Sequence, residues 1–453
     1  MRVAIIGAGL SGRLLALNLL QRASSAVASL MIDRGDPEWM GPAYSDPADY
    51  LLLNVPAGRM GALADDPEHF LRWAQRKGVP AGQWDFLPRG LYRDYVLDLL
   101  NAARCERPSG PTLRHLCGDV TDLEAGRSGV TIRVEGGDPI VADKAVLALG
   151  NFPPRHPSIE TRASLESRRY VRNPWSPGVV RSLASSDTVV VIGTGQTTVD
   201  LLLALEKGAY KGRIVAISRR GVLPLAHRGF ESYPSFFGEI EGSRRILDIF
   251  RTVRAHLRRA ESMGVDSRSV IDSMRPDTQA LWLGLPAEEK RRFLRHLFRF
   301  WEIIRARIPP ESEAIIRRMR ESGQLEVVAG RIRDLVETEV ALEVHYTARG
   351  TWSDAVERAN VVINCIGPET DYTRIDDALV ANLMHRGLIR PGPADLGIDA
   401  FPDGAIIGRD GAPSDVLYTL GSPMKGVLWE VLGVPDIRAQ AQRLAQLLLE
   451  REP

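Results

Sequence analysis

At 453 residues the chain is too long for a single core, so two or three domains are expected. Its 44% hydrophobic and 25% charged residues and net charge of +1 exclude a disordered chain and argue against a nucleic-acid partner or a strongly charged substrate. The three cysteines Cys105, Cys117 and Cys365 form no C-x-x-C pair, the first strand begins at Arg2, and no apolar run reaches the ~18 residues of a membrane span; a soluble cytoplasmic protein without a disulfide framework is expected.

The chain opens with RVAIIGAGLSG, an apolar strand that runs into Gly7-x-Gly9-x-x-Gly12 and then into the helix-like LLALNLLQRA. Gly7 allows the tight turn, Gly9 lets a pyrophosphate approach the backbone beside Ser11, and Gly12 lets helix and strand pack closely. The positive end of the helix faces the phosphates. The next strand, AVASLMID, ends in Asp33, placed to bind a ribose 2′-hydroxyl. The order of strand, glycines, helix, strand and acid predicts a dinucleotide site, although the turn alone does not separate NAD from FAD. Further on, KAVLALGNFPP is a strand ending at Gly150 with prolines behind it, and prolines recur at NPWSPG, as in a linker between domains.

The stretch VVVIGTGQTTVD, Val189 to Asp200, repeats the first pattern, with Gly193-Thr194-Gly195-Gln196 between an apolar strand and a helix ending at Gly208. Thr198 stands where the third glycine would be, and a β-branched residue there should hold the helix slightly away from the strand. The following strand, GRIVAIS, ends in Ser218-Arg219-Arg220 instead of an acid. Guanidinium groups pair bidentately with a 2′-phosphate, so NADPH is favoured over NADH. The alternative is a pair of solvated turn charges. Two turns imply a division of labour, one dinucleotide staying bound and the other visiting to deliver a hydride.

His227, in PLAHRGF after this strand, is either a structural histidine or a group meeting the nicotinamide end or a substrate. From Gly238 to about Ser322 the pattern predicts long amphipathic helices, as in RRFLRHLFRFWEIIRARI, where Leu294, Leu297, Phe298, Trp301 and Ile304 recur at helical spacing. Their arginines form a solvated face or a pocket for an anionic substrate. Strand-like segments return at QLEVVAG, ALEVHYT and ANVVINCIGP, the last ending in Gly367-Pro368 much as the earlier segment ends at Gly150. LYTLGSPMKGVLWEV then carries Gly421 at a strand end before a helix-like run with Lys425 and Trp429, and an amphipathic helix closes the chain. Eight histidines lack metal-ligand spacing, and no G-x-S-x-G elbow occurs.

Taken together, GAGLSG, GPAYS (Gly41 to Ser45) with LLLNVPAGRM, DDPEHFLRW, ISRRG, RPDTQALW, RRFLRHLFRFWE and KGVLWE resemble the bacterial FAD-NAD(P)-binding family, itself similar to class B flavoprotein monooxygenases such as the ornithine and lysine N-hydroxylases. The resemblance covers nearly the whole chain. It implies an α/β, two-dinucleotide-binding (Rossmann-type) flavoprotein with a helical insert in its second domain: an FAD domain at 1–155, an NADPH domain at 156–359 with the insert at about 238–322, and the rest of the FAD domain at 360–453. FAD would stay at GAGLSG, NADPH would visit GTGQTT, and dioxygen and a small molecule would be the further substrates, the flavin acting through a C4a-hydroperoxide in, for example, the N-hydroxylation of an amine. Without oxygen insertion the same fold would be an NADPH-dependent flavin oxidoreductase, or a module that binds nucleotides without catalysis.

The resemblance places Asn54 near the flavin as a donor, against its other reading as a turn residue before Val55-Pro56. It makes the Gly421 segment the flavin's cap, with Lys425 as a charge, and Trp429 as a cofactor contact or a core residue. Two departures stand out. The family's histidines past the insert tryptophan are replaced at Ile304 and Ala306, and the Phe-x-Gly segment followed by histidine is missing, which argues against a Baeyer–Villiger enzyme.

Overall fold

The structure, a computed structural model, describes residues 1–23, 27–44, 49–105, 110–176, 178–229 and 231–451. Ser45 of the GPAYS motif and Phe230 of PLAHRGF lie outside the described residues. Strand β1 (Arg2–Ile6) buries every side chain after the first, as a strand covered on both faces must. Helix α1 (Leu10–Arg22), β2 (Ala28–Asp33), α2 (His69–Arg76), α3 (Arg89–Cys105) and β3 (Thr112–Cys117) follow. A meander of β4 (Val120–Gly126), β5 (Gly129–Val134) and β6 (Ile140–Ala142) leads into β7 (Lys144–Leu147).

The chain then crosses to a second sheet with β8 (Tyr170–Val171), β9 (Val189–Ile192), α4 (Gln196–Lys207) and β10 (Ile214–Ser218). The insert is α5 (Ile246–Ser262), α6 (Ser267–Ser273), α7 (Thr278–Gly284), α8 (Ala287–His296), α9 (Phe298–Arg305) and α10 (Pro310–Glu321). Strands β11 (Leu325–Glu337), β12 (Leu342–Ala348), β13 (Asp354–Ala359) and β14 (Val361–Asn364) complete the second sheet. The return supplies α11 (Ala378–Arg386), β15 (Ala405–Ile407), β16 (Pro413–Thr419), α12 (Lys425–Leu428) and α13 (Val434–Glu450).

The first sheet runs β15-β16-β7-β1-β2-β3, and the second β13-β12-β11-β10-β9-β14-β8. Each is parallel around its nucleotide turn, where β1 lies between β2 and β7, and β9 between β10 and β14. Leu14, Leu17 and Tyr92 pack with Leu444 on one face of the first sheet, and the meander packs with α11 on the other. No helix among the described residues is long and apolar enough to cross a membrane.

Three features differ from the sequence reading. β14 pairs with β9 and β8, so the crossing back to the first sheet follows Gly367 instead of preceding residue 360. An apolar strand ending in Gly-Pro has the same pattern in either sheet, and only its pairing decides. The run RRFLRHLFRFWEIIRARI is not one helix but α8 and α9, broken at Leu297 (φ −113°), and both Phe293 and Phe298 pack against Trp429, at 5.2 and 5.6 Å between ring centroids. The meander and β13 carry polar residues at half their positions and left weak signals.

Candidate functional site

At the first turn Gly7 has φ +107°, and a Cβ there would collide with the Ala148 carbonyl, so the turn accepts glycine alone. A Cβ at Gly12 would strike the Gly7 carbonyl, whereas the space beside Gly9 is open to 4 Å. Gly9 caps α1 without a side-chain hydrogen bond, leaving the helix's first N–H groups turned to that space. This is the arrangement a pyrophosphate needs. Asp33 lies at the rim, where its carboxylate accepts from the N–H of Ala8 at 2.7 Å and of Gly35 at 2.8 Å. Each oxygen retains a lone pair for a ribose hydroxyl, and the same carboxylate braces the turn. Sequence reasoning missed Arg13, whose buried guanidinium donates to the carbonyls of Ala8, Pro37 and Trp39 at 2.7–2.8 Å and fixes the loop after β2.

The C-terminal segment reaches the same place. A Cβ at Gly421 (φ +76°) would fall on the Ser11 hydroxyl, and the Gly421 N–H donates to Gln440 Oε1 at 2.9 Å. Gln440 Nε2 is buried without a hydrogen-bond partner among the described residues. Gly150 (φ +66°) and Gly367 (φ +104°) both sit at turns with open space around them, and Pro154 and Pro368 bridge the two segments, so these turns form the crossing between the sheets.

The second turn copies the first with one change. A Cβ at Gly193 (φ +117°) would meet the Cys365 carbonyl, and Gly195, open to 4 Å, caps α4 without a side-chain bond. Thr198 is fully buried, and its hydroxyl donates to the Gly193 carbonyl at 3.0 Å. At the corresponding Gly12 not even a bare Cβ would fit, so α4 stands farther from its turn than α1 does from its own. Thr194 donates to the Val222 carbonyl at 2.7 Å and lies 2.8 Å from Ser218 Oγ, which accepts from the Gly221 N–H; the two hydroxyls tie the turn to the end of β10.

Arg219 and Arg220 line the cavity beside this turn together with Gly195, Arg299 and Glu302. A basic cavity adjoins it, lined by Arg219, Arg220, Arg295, Arg299, Arg331 and Arg349. Burial, then the neighbouring Arg299, Arg155, Arg220 and Arg331, pushes the Arg219 pKa down. Of the residues lining that basic cavity none is acidic, and such a concentration of cations is tolerated where an anion joins it. The Arg220 guanidinium lies 4.2 Å from the Phe300 ring, which joins the turn to α9.

The two turns meet through side chains. Asn54 Nδ2 donates to Gln196 Oε1 at 3.1 Å, and Gln196 Nε2 donates to the Ala306 and Arg307 carbonyls at 2.6 and 3.1 Å. His227 Nε2 lies 3.0 Å from the Asn54 carbonyl, which can only accept, so Nε2 carries the proton. Burial pushes the His227 pKa down to about 4, and the ring is a neutral donor near neutral pH. Deeper in, Arg89 at the start of α3 forms a bidentate pair with Asp200 of α4, both bonds 2.9 Å, and donates to the Leu52 carbonyl. Burial raises the Asp200 pKa in spite of this partner. Neither residue of this pair carried a signal in sequence, since the two lie 111 positions apart.

At the cap, Trp429 adopts φ +65° and stacks on Trp282 at 4.5 Å, while Trp282 Nε1 donates to the Gly426 carbonyl at 2.9 Å. The Trp429 ring thus packs into the core of the insert. Lys425 Nζ lies 5.4 Å from the Trp429 ring and 5.9 Å from Phe298; burial lowers its pKa, and the charges of Glu302 and Glu430 act the other way. Glu430 pairs with Arg305 at 3.1 Å. Asp436, at the start of α13, was also missed: burial and then Glu430 raise its pKa to about 6, and its Oδ2 has no hydrogen-bond partner among the described residues.

Residues 4–152 match the FAD-NAD(P)-binding family. No curated protein matches the chain in sequence. Among solved structures it is similar to the L-lysine 6-monooxygenase of Pseudomonas syringae (TM-score 0.67, 15% identity, 99% of each chain covered). It is similar also to the ornithine N-hydroxylase of Kutzneria sp. 744 with reduced FAD, NADP+ and L-ornithine (TM-score 0.65, 14% identity, 99% of this chain and 98% of that one). The thioredoxin reductase of Lactococcus lactis is similar at TM-score 0.54 and 11% identity, with 99% of this chain and 98% of that one covered. The chain therefore has the two-dinucleotide-binding fold that flavin-dependent monooxygenases and disulfide reductases share.

Proposed function

We propose that the protein is an FAD- and NADPH-dependent monooxygenase that oxygenates a small molecule. The observation that carries this reading is the pair of glycine turns, each with an open, uncapped helix N-terminus, joined side by side through Asn54 and Gln196. FAD fits the first, where Gly9 leaves room, Gly421 closes on Ser11, and Gln440 offers an amide nitrogen without a partner among the described residues. NADPH fits the second, where Arg219 and Arg220 meet a 2′-phosphate that an acid would repel. When bound, the flavin takes two electrons from NADPH and activates dioxygen, so that one oxygen atom enters the substrate and the other leaves as water.

The chain's own residues position these reactants. The α1 and α4 N-termini hold phosphates, while His227 and Asn54 fix the segment between the turns. The apolar packing of Trp429, Trp282 and Phe298 joins the C-terminal segment to the insert. The sequence holds no C-x-x-C dithiol, and the Cys365 thiol is pushed up to about 12 by burial, which makes it a poor thiolate nucleophile. Peripheral electron transfer without oxygen insertion is the alternative outcome of the same test. Purified protein is expected to show flavin absorbance and to oxidise NADPH in preference to NADH; with a cognate substrate, NADPH consumption rises without matching hydrogen peroxide release. Protein that neither carries FAD nor oxidises NADPH with added FAD would overturn the reading.

A further inference from the structure

The insert lines an apolar chamber of about 150 Å³ that opens to solvent. Its walls converge from α5, α6, α7, α8 and α9 and include Phe250, Val253, Leu281, Trp301 and Trp429. Helix α9 explains its position. Arg299, Glu302 and Ile303 on one face line the cavity at the second nucleotide turn, with Ala306 just beyond the helix end, whereas Phe300, Trp301 and Ile304 face the chamber. One helix thus separates the two spaces, and Trp429, which follows the Lys425 segment closing on the first turn, forms the chamber's other boundary.

The chemistry of the wall is one-sided. The Thr278 hydroxyl donates to the Met274 carbonyl at 3.0 Å and Trp282 Nε1 to Gly426, so these polar groups are already satisfied. Among the described residues, no carboxylate, amide or cationic side chain lines the chamber. A carboxylate placed inside would lose water without gaining a partner, and an ammonium would find only aromatic ring faces. We infer that the chamber binds the apolar body of an uncharged, aromatic or hydrocarbon-rich substrate. This inference rests on the monooxygenase reading for its catalytic meaning, but not for the binding itself. It also sets the chain apart from the similar ornithine N-hydroxylase and L-lysine 6-monooxygenase.

The test uses the FAD-loaded protein and the uncharged fluorophore N-phenyl-1-naphthylamine, read by energy transfer from Trp282, Trp301 and Trp429. Saturable binding is expected, with L-lysine unable to compete. Leu281→Gln places an unsatisfied amide in the wall and Val253→Trp fills the space, so affinity falls about tenfold or more in each, with retained FAD absorbance showing that the variant is folded. Absence of saturable binding, competition by L-lysine, or unchanged affinity in both folded variants would overturn the proposal. So would probe binding lost as protein concentration rises, which would mean that a second copy covers the opening. If the probe binds as expected but NADPH fails to reduce the flavin, the monooxygenase reading fails while the chamber's assignment stands.

Discussion

Arg219 lies among other guanidinium groups, and this sets the strongest expectation at the scale of single residues. Charge-assisted hydrogen bonds contribute about 1.5–3 kcal/mol. Arg219→Ala should therefore raise KM for NADPH about tenfold or more while leaving NADH kinetics nearly unchanged, measured by steady-state oxidation of both nucleotides. Equal losses with NADH and NADPH would dismiss a 2′-phosphate contact. Thr198→Gly should change NADPH affinity modestly, by letting α4 approach the Gly193 turn, with FAD content intact. Loss of FAD from that variant would reverse the assignment of the two turns. His227 makes a pH prediction. Its folded pKa of about 4 lies below its ordinary 6.5, so the unfolded chain binds the proton more readily. The stability it contributes is complete above pH 6.5 and lost as pH falls from 6.5 through 4. Asp436, raised to about 6, titrates in an overlapping window with the opposite sign, so thermal melts of wild type and His227→Asn must be compared. The variant should lose less stability on acidification, and parallel curves would refute the role of His227.

Among the elements, the break between α8 and α9 matters most. A continuous amphipathic helix would keep one apolar stripe, but the bend at Leu297 lets Phe293 and Phe298 reach Trp429 while α9 turns its charged face to the second nucleotide turn. Trp429→Ala removes the ring on which Trp282, Phe293 and Phe298 converge. Large-to-small changes of this kind cost roughly 3–5 kcal/mol. The loss should appear as faster hydrogen exchange across α7 to α9, with the first sheet still protected; uniform protection would show that the cap and insert are not joined there. The two nucleotide turns were legible because a glycine turn after an apolar strand is a local constraint, enforced by the carbonyls beside Gly7 and Gly193. The bend was not legible, since helical spacing continues through Leu297 and only the distant Trp429 gives it a purpose.

For the whole molecule, the two domains are held by the buried Arg89–Asp200 pair and the Asn54–Gln196–His227 set. Removing one partner of a buried pair strands the other charge, at a cost of about 3–5 kcal/mol. Asp200→Asn should lower the melting temperature and slow flavin reduction by NADPH, and Arg89→Met with Asp200→Leu should recover much of the stability. If the double variant is no more stable than the single one, a stranded charge is not the cause.

The sequence by itself determined both nucleotide turns, the basic end of β10, the helical insert and the α/β class, because each is written in contiguous residues whose period or backbone demands are local. Tertiary structure alone decided that β14 belongs to the second sheet, that Gln196 and His227 meet at Asn54, that Arg89 clamps α4, and that Trp429 closes an apolar chamber. These depend on pairing and burial between segments far apart in the chain, and side-chain chemistry acquires its partner, its charge state and its direction only when the fold brings such segments together.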